Sequence, residues 1–319
     1  MRICLVTPAP PRSRQGNRVT AERWARILRG LGHDIVTAEA YDRQRCDVLV
    51  ALHARRSAAS VERFRERRPV SPLVLALTGT DVYRDIRGCE AARRSLALAD
   101  RFVVLQPLAV DELPEHLRGR ARVIYQSARP PPGRSPPAAG VFQVVVLAHL
   151  RPVKDPLLAA AAARRLPPES PVTVVHLGAA LEAELAARAR AEQACNPRYR
   201  WLGEASRDRA LHTLARSRLL VLTSTLEGGA NVVTEALACS VPVLSTRIPG
   251  SVGILGPDYP GYFPVGDAAG LAALLERAER DDEGFYQGLQ RRCEALRPLV
   301  DPARERRSWQ QLLAELAAG

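Results

Sequence analysis

The chain has 319 residues, 46% of them hydrophobic and 25% charged; that mix buries a core, excludes a disordered chain, and at this length suits about two domains. No run of about 18 apolar residues is present, and Arg2 precedes too short an apolar stretch for a secretory leader, so a cytoplasmic protein without stable membrane insertion is expected. The net charge of +12 alone would suit nucleic acid or an anionic surface, but it is lopsided: residues 1–140 hold 25 basic and 14 acidic side chains, residues 141–319 hold 21 and 20.

The first elements read strand, loop, helix. Residues 2–7 are apolar, residues 8–17 carry Pro, Arg and Gly, and Val19, Trp24, Ile27, Leu28 and Leu31 recur at helical spacing before Gly32. Further short apolar runs fall at 35–36, 47–52, 73–77, 101–105 and 123–125. Near-continuous apolar strands alternating with helices predict a parallel sheet covered on both faces. Residues 129–137 then hold five prolines, which exclude a helix interior or a central strand and predict an extended linker over 129–139.

After the linker the alternation restarts. Strands are expected over 142–148, 172–177, 219–223 and 241–244, and helices over 156–165, 181–193, 208–215, 231–238 and 271–280. An amphipathic helix over 303–316 closes the chain. The fold class is therefore α/β, with two doubly wound domains facing a cleft. An N-terminal domain spans 1–128 and is joined by residues 300–319, whose helix crosses back; the second domain spans 140–299. Such sheets bind ligands at the carboxyl ends of their strands.

Residues 223–236, Thr-Ser-Thr-Leu-Glu-Gly-Gly-Ala-Asn-Val-Val-Thr-Glu-Ala, run from strand through a glycine turn into a helix. Gly228 and Gly229 let a backbone approach a ligand, and a helix N-terminus near Ala230 offers N–H groups to phosphate or sugar oxygens. Glu227 and Glu235 can accept hydrogen bonds from hydroxyls. Taken by themselves, the two are equally a solvated loop carboxylate and a helix carboxylate. Residues 149–156, His-Leu-Arg-Pro-Val-Lys-Asp-Pro, follow the first strand of the second domain and place Arg151 and Lys154 at the same mouth. Either they are surface cations, or they neutralise a diphosphate without a metal. Lys154 is the single lysine among 46 basic residues, which favours the second alternative.

These two segments resemble the second domain of GT-B glycosyltransferases of the family-4 type, whose E-x7-E motif corresponds to Glu227 and Glu235. The resemblance covers most of residues 140–250 and implies two Rossmann-like domains and a nucleotide-diphosphate sugar donor used without metal or other cofactor. It further implies that Arg151 and Lys154 bind the diphosphate, that Glu227 contacts the donor sugar, and that Glu235 holds the ribose hydroxyls. Gly228, Gly229, Ala230 and Asn231 would border the donor, and residues 199–203 match the turn that frames the base, with Trp201 and Leu202 against it. The family's usual E-G-F-G reads Glu227-Gly228-Gly229-Ala230 here.

The first domain is expected to hold the acceptor. Relatives carry a Gly-Gly loop after the first strand and a deeper His-Gly-x-Asp segment. Here the loop is Pro10-Pro11-Arg12-Ser13-Arg14-Gln15-Gly16-Asn17-Arg18, and Thr78-Gly79-Thr80-Asp81 puts a threonine where the histidine stands. Hydroxyl acceptors benefit from a positioned base, whereas an anionic acceptor needs cations and N–H donors. Arg12, Arg14, Arg18, Asn17 and Thr80 supply those, and Gly16, His53, Arg55, Thr78, Gly79 and Asp81 complete the expected acceptor side. The loop arginines read equally well as solvated surface.

The N-terminal 25 residues, with residues 51–57 and 75–83, are similar to one branch of that family, the selenosugar synthases of selenoneine biosynthesis. This similarity runs nearly end to end. It implies transfer of N-acetylglucosamine from UDP-N-acetylglucosamine to selenophosphate, with a downstream enzyme of the same pathway as a partner. The rival is a conventional transferase onto a lipid or saccharide hydroxyl, its basic first domain docking on an anionic membrane. No zinc finger, recognition helix or aromatic-interleaved basic patch points to nucleic acid.

The remaining polar features read as structural. The six cysteines, Cys4, Cys46, Cys89, Cys195, Cys239 and Cys293, are scattered without a C-x-x-C pair and fit a reducing compartment, most of them as small core residues. Asp281-Asp282-Glu283 is expected to start a helix rather than bind metal. His33, His116, His176 and His212 are expected to be structural, and Trp24 and Trp309 core or docking residues.

Overall fold

The computed structural model describes residues 1–11, 13, 15–133 and 140–318. Arg12, Arg14 and the 134–139 part of the expected linker lie outside these residues. The chain divides into two compact units, Met1–Gln126 with Pro302–Gly319, and Ser127–Asp301.

The first unit is a six-stranded sheet: β1 Arg2–Val6, β2 Asp34–Ala38, β3 Val48–Leu52, β4 Leu73–Leu77, β5 Arg101–Val104 and β6 Ala121–Val123. Their order is β2-β1-β3-β4-β5-β6, with every pairing parallel. Both β3 and β4 are buried along their whole length. Alternate side chains go to opposite faces of the pleat. Ile3, Leu5, Val48, Val50, Val74 and Ala76 fill one core, and Cys4, Val6, Leu49, Ala51, Leu75 and Leu77 the other.

The C-terminal helix Pro302–Ala318 closes the first of these cores with Trp309, Leu312 and Leu313. Trp309 meets Trp24 edge-on at 4.9 Å between centroids, a pair that adds about 0.5–1.5 kcal/mol to its area burial. Glu305, fully buried beside them, accepts from Trp24 Nε1 at 2.8 Å and Arg23 Nε at 3.2 Å. Both tryptophans are thus core residues.

The second unit is another six-stranded parallel sheet: β7 Phe142–Leu147, β8 Val172–Leu177, β9 Tyr199–Trp201, β10 Leu219–Leu222, β11 Val243–Thr246 and β12 Tyr262–Phe263. The order β12-β11-β10-β7-β8-β9 winds outward in both directions from the β7/β10 pair. Two parallel Rossmann-like sheets are what the alternation of apolar strands and helices indicated. Among the described residues no helix is long and apolar enough to cross a membrane.

The structure corrects several boundaries. The strand expected over 241–244 begins at Val243, because the chain is still leaving the preceding helix: Ser240 takes φ 53°, and Val241 N bonds Ala236 O. The run 123–125 marks burial rather than pairing; the edge strand is Ala121–Val123. Tyr199–Trp201 is an edge strand, and the turn comes after it at Gly203, φ +70°. Asp281 ends one helix in a left-handed conformation and accepts from Gln287 N, holding the start of the helix Phe285–Leu296.

Candidate active site

The carboxyl ends of β7 and β10 lie side by side at the point where the second sheet reverses its winding, the place where such sheets bind ligands. After β7 the chain makes a single helical turn, Pro152–Lys154, with Arg151 before it and Asp155 after it at φ 40°. Three bonds stitch this turn to the segment after β10. Thr223 Oγ1 donates to Lys154 O at 2.7 Å, while Thr225 N and Oγ1 donate to Val153 O at 2.9 and 3.2 Å.

That stitching carries Lys154 to Glu227. Their side chains form an ion pair, and Ser224 Oγ donates to the same Glu227 oxygen at 2.6 Å. Gly250, at the start of the helix Pro249–Leu255, lies so close beneath this loop that a Cβ there would sit 2.2 Å from Glu227 O. Glycine is required because both sides of this contact are backbone. Arg151 is half-buried beside the turn and forms no ion pair among the described residues.

The segment Gly228–Ala230 leads into the helix Asn231–Ala238, which has no side-chain cap and no carboxylate in its first turn. Its first N–H groups therefore offer partial positive charge at the same strand ends. Glu235, one turn in, is buried and receives Arg207 Nη2 at 2.8 Å. Arg207 belongs to the helix Arg207–Ala215, whose start is fixed by Ser206 Oγ accepting from Arg209 N. Sequence reasoning missed Arg207; the capping serine before it was the only available signal.

Trp201 and Leu202 sit further along. Trp201 donates Nε1 to Gly178 O at 2.8 Å and has the Arg190 guanidinium 5.9 Å from its ring, while Leu202 N bonds His176 O. His176 is wholly buried between Tyr199 OH at 2.9 Å and Ala148 O at 2.8 Å, and burial lowers its pKa to about 4. A neutral ring donating Nε2–H to the carbonyl fits this setting, and it braces the end of β7. An open cavity of about 260 Å³ borders the Pro152–Lys154 turn. Its lining of Asp155, Glu182 and Glu184 against one cation, Arg188, makes it unsuited to a diphosphate, and it contains neither Lys154 nor Glu227.

In the first unit, residues expected on the acceptor side gather at the ends of β1, β3 and β4. The helix Gly16–Gly30 starts without a side-chain cap or an acidic first turn. Thr78 Oγ1 donates to Asn17 Oδ1 at 2.8 Å, tying that start to β4. Thr7 is fully buried, and its hydroxyl has no hydrogen-bond partner among the described residues. Arg18 is buried under the loop, giving Nε to Pro10 O.

Asp81 fastens β3 to β4, accepting from Ala54 N at 3.0 Å and Gly79 N at 2.8 Å. It begins a π-helical turn, Asp81–Asp85, that follows Thr80; such turns are often found at functional sites. His53 follows β3 at φ 75°, a strained conformation for a non-glycine residue, and is only 3% exposed. Its Nδ1 lies 3.9 Å from Asp81 and its Nε2 3.9 Å from Asp85, which also holds Arg55 at 3.0 Å. Burial lowers the His53 pKa, and the two carboxylates oppose that shift.

The family model for glycosyl transferases group 1 matches residues 134–294, just over half of the chain. The chain belongs to the glycosyl transferases group 1 family. Solved structures share its fold. Sucrose-phosphate synthase from Thermosynechococcus elongatus is 16% identical, with 99% of each chain covered and a TM-score of 0.77. Alr3699/HepE of Anabaena in complex with UDP is also 16% identical over 99% of each chain, with a TM-score of 0.74. The UDP-forming trehalose-phosphate synthase of Burkholderia vietnamiensis is 14% identical, covering 85% of this chain and 72% of its own, at 0.68.

In this group 1 transferase both carboxylates of the E-x7-E spacing are paired with a cation, Glu227 with Lys154 and Glu235 with Arg207. A cation held by a carboxylate can change partners: an entering anion takes the ammonium and leaves the carboxylate to accept from hydroxyls. Among the described residues no group of three or more His, Cys, Asp or Glu side chains is placed to hold a metal.

Proposed function

We propose that this group 1 transferase takes N-acetylglucosamine from UDP-N-acetylglucosamine and delivers it to selenophosphate, forming a carbon–selenium bond. The observation that carries the donor half is the stitched pair of loops holding Lys154 against Glu227 at the β7/β10 switch point. A UDP donor is supported by the fold shared with Alr3699/HepE, whose structures hold UDP and UDP-glucose.

In this reading Lys154 and Arg151 receive the diphosphate, Glu227 turns to the sugar hydroxyls, and the amides of residues 228–231 border the sugar. Glu235 accepts from the ribose. A selenium lone pair attacks the anomeric carbon, the bond from that carbon to the β-phosphate oxygen breaks, and its electron pair leaves with UDP. Hydrolysis of the selenium–phosphorus bond then gives the selenosugar and phosphate. The departing charge is met by Lys154 and Arg151 rather than by a metal, so turnover is expected without one; one fixed donor of this kind contributes roughly 10²–10³ in rate.

The acceptor half rests on the first unit. The helix start at Gly16 without a side-chain cap, the Thr7 hydroxyl without a partner among the described residues, and the likeness of the N-terminal segments to selenosugar synthases support an anionic acceptor there. Arg12 and Arg14 would add charge. One observation favours a second reading, transfer to a lipid or saccharide hydroxyl: His53, neutral and flanked by Asp81 and Asp85, has the setting of a general base.

Incubating the protein with UDP-N-acetylglucosamine and selenophosphate, beside thiophosphate, phosphate and hydroxyl acceptors, separates these readings. The proposal expects UDP release dependent on selenophosphate and a product mass containing selenium. Release with a hydroxyl acceptor alone, abolished by His53→Gln, establishes the second reading instead.

A further inference from the structure

Glu227 and Glu235 do not receive their cations in the same way. Lys154 comes from the adjoining strand end, within the segment whose sequence already pointed to the donor. Arg207 comes from a different helix, 28 residues before Glu235. The helix cap at Ser206 fixes the backbone from which Arg207 projects, so its reach to Glu235 is set by the fold. Glu235 is buried, while the Arg207 side chain that pairs with it is 41% exposed.

A glutamate side chain has three rotatable bonds, and holding it still costs up to about 2 kcal/mol in entropy. A vicinal diol needs both carboxylate oxygens presented in one orientation before it arrives. We propose that Arg207 is a positioning residue for the nucleoside end of the donor. By holding one oxygen of Glu235 it sets the carboxylate to accept from a ribose diol, and so sets selectivity for ribose over 2′-deoxyribose. The inference rests on the reading of Glu235 as the ribose contact.

The test measures the affinity of the full-length protein for UDP and for 2′-deoxy-UDP by calorimetry, in the wild type, Arg207→Gln, Arg207→Lys and Glu235→Gln. Arg207→Gln is expected to weaken UDP about tenfold, equivalent to about 1.4 kcal/mol, and 2′-deoxy-UDP less than twofold, so that the discrimination collapses. Arg207→Lys keeps part of it. A double variant, Arg207→Gln with Glu235→Gln, measured beside them, is expected to be no weaker than Glu235→Gln alone, because the two residues act as one unit. The donor KM rises more than kcat falls.

If Glu235→Gln loses the discrimination and Arg207→Gln keeps it, the role of Arg207 is overturned and that of Glu235 stands. If neither variant changes it, or the wild type shows no preference, the ribose reading fails and this inference with it. Equal weakening of both ligands by Arg207→Gln marks a merely structural role and also overturns the proposal.

Discussion

Replacing Gly250 with alanine tests whether the Glu227 loop is positioned as tightly as the structure implies. The added Cβ would lie 2.2 Å from Glu227 O and 2.9 Å from both Glu227 C and Glu227 Cβ. An ordinary Cβ contact lies at 3.4–4 Å, so helix and loop must part by at least about 1 Å. The nearest atom is backbone, so no side chain can swing aside. Glu227 meets Gly250 through its backbone and Lys154 and Ser224 through its carboxylate, so the displacement passes directly to that trio. Overpacking of this kind costs about 1–3 kcal/mol of stability, and a shift of about 1 Å in a reacting group costs on the order of 10²-fold in rate. Thermal melting and UDP release, each followed for Gly250→Ala and for Gly119→Ala, measure both effects. A Cβ at Gly119 meets nothing within 4 Å, and that variant is expected to match the wild type. Wild-type melting and turnover in Gly250→Ala would refute the argument that this contact places the carboxylate.

Lys154→Ala is expected to lower kcat/KM by roughly 10²-fold and to weaken UDP in a binding titration, because it also leaves Glu227 uncompensated; unchanged kinetics would remove Lys154 from the site. Replacing Arg12 and Arg14 together is expected to raise the acceptor KM and leave UDP affinity intact; the reverse pattern would assign that loop to the donor. His176 binds its proton less readily when folded, with a pKa of about 4 against a usual 6.5. The unfolded chain therefore holds more protons between these values, and stability falls as pH drops through that window, by up to about 3 kcal/mol. Denaturant titrations at pH 7 and pH 4.5 should show this loss in the wild type and a smaller one in His176→Gln.

Much of this was legible in the sequence for a simple reason. Buried parallel strands such as Leu73–Leu77 are apolar throughout, and that pattern survives any detail of packing. The helix Asn231–Ala238 was legible to the residue, because the glycine turn before it and the helix-favouring Glu-Ala-Leu-Ala at its end agree. Failures came where a partner distant in sequence decides the outcome. Nothing local says that Arg207 meets Glu235, that Asp85 meets His53, or that Gly250 must be glycine because Glu227 O lies against it. The helix Phe285–Leu296 went unrecognised although Phe285, Leu289 and Cys293 recur at its period; only three of its twelve residues are buried, too narrow a stripe to stand out.

The claim on which the mechanism depends is that fixed side-chain cations, rather than a bound ion, receive the departing diphosphate. Turnover of UDP-N-acetylglucosamine, measured in excess EDTA and then across a magnesium titration, tests it directly. The account predicts one rate throughout for the wild type, and a large loss in Lys154→Ala that magnesium does not restore. Activity that disappears with the chelator and returns with magnesium would contradict it.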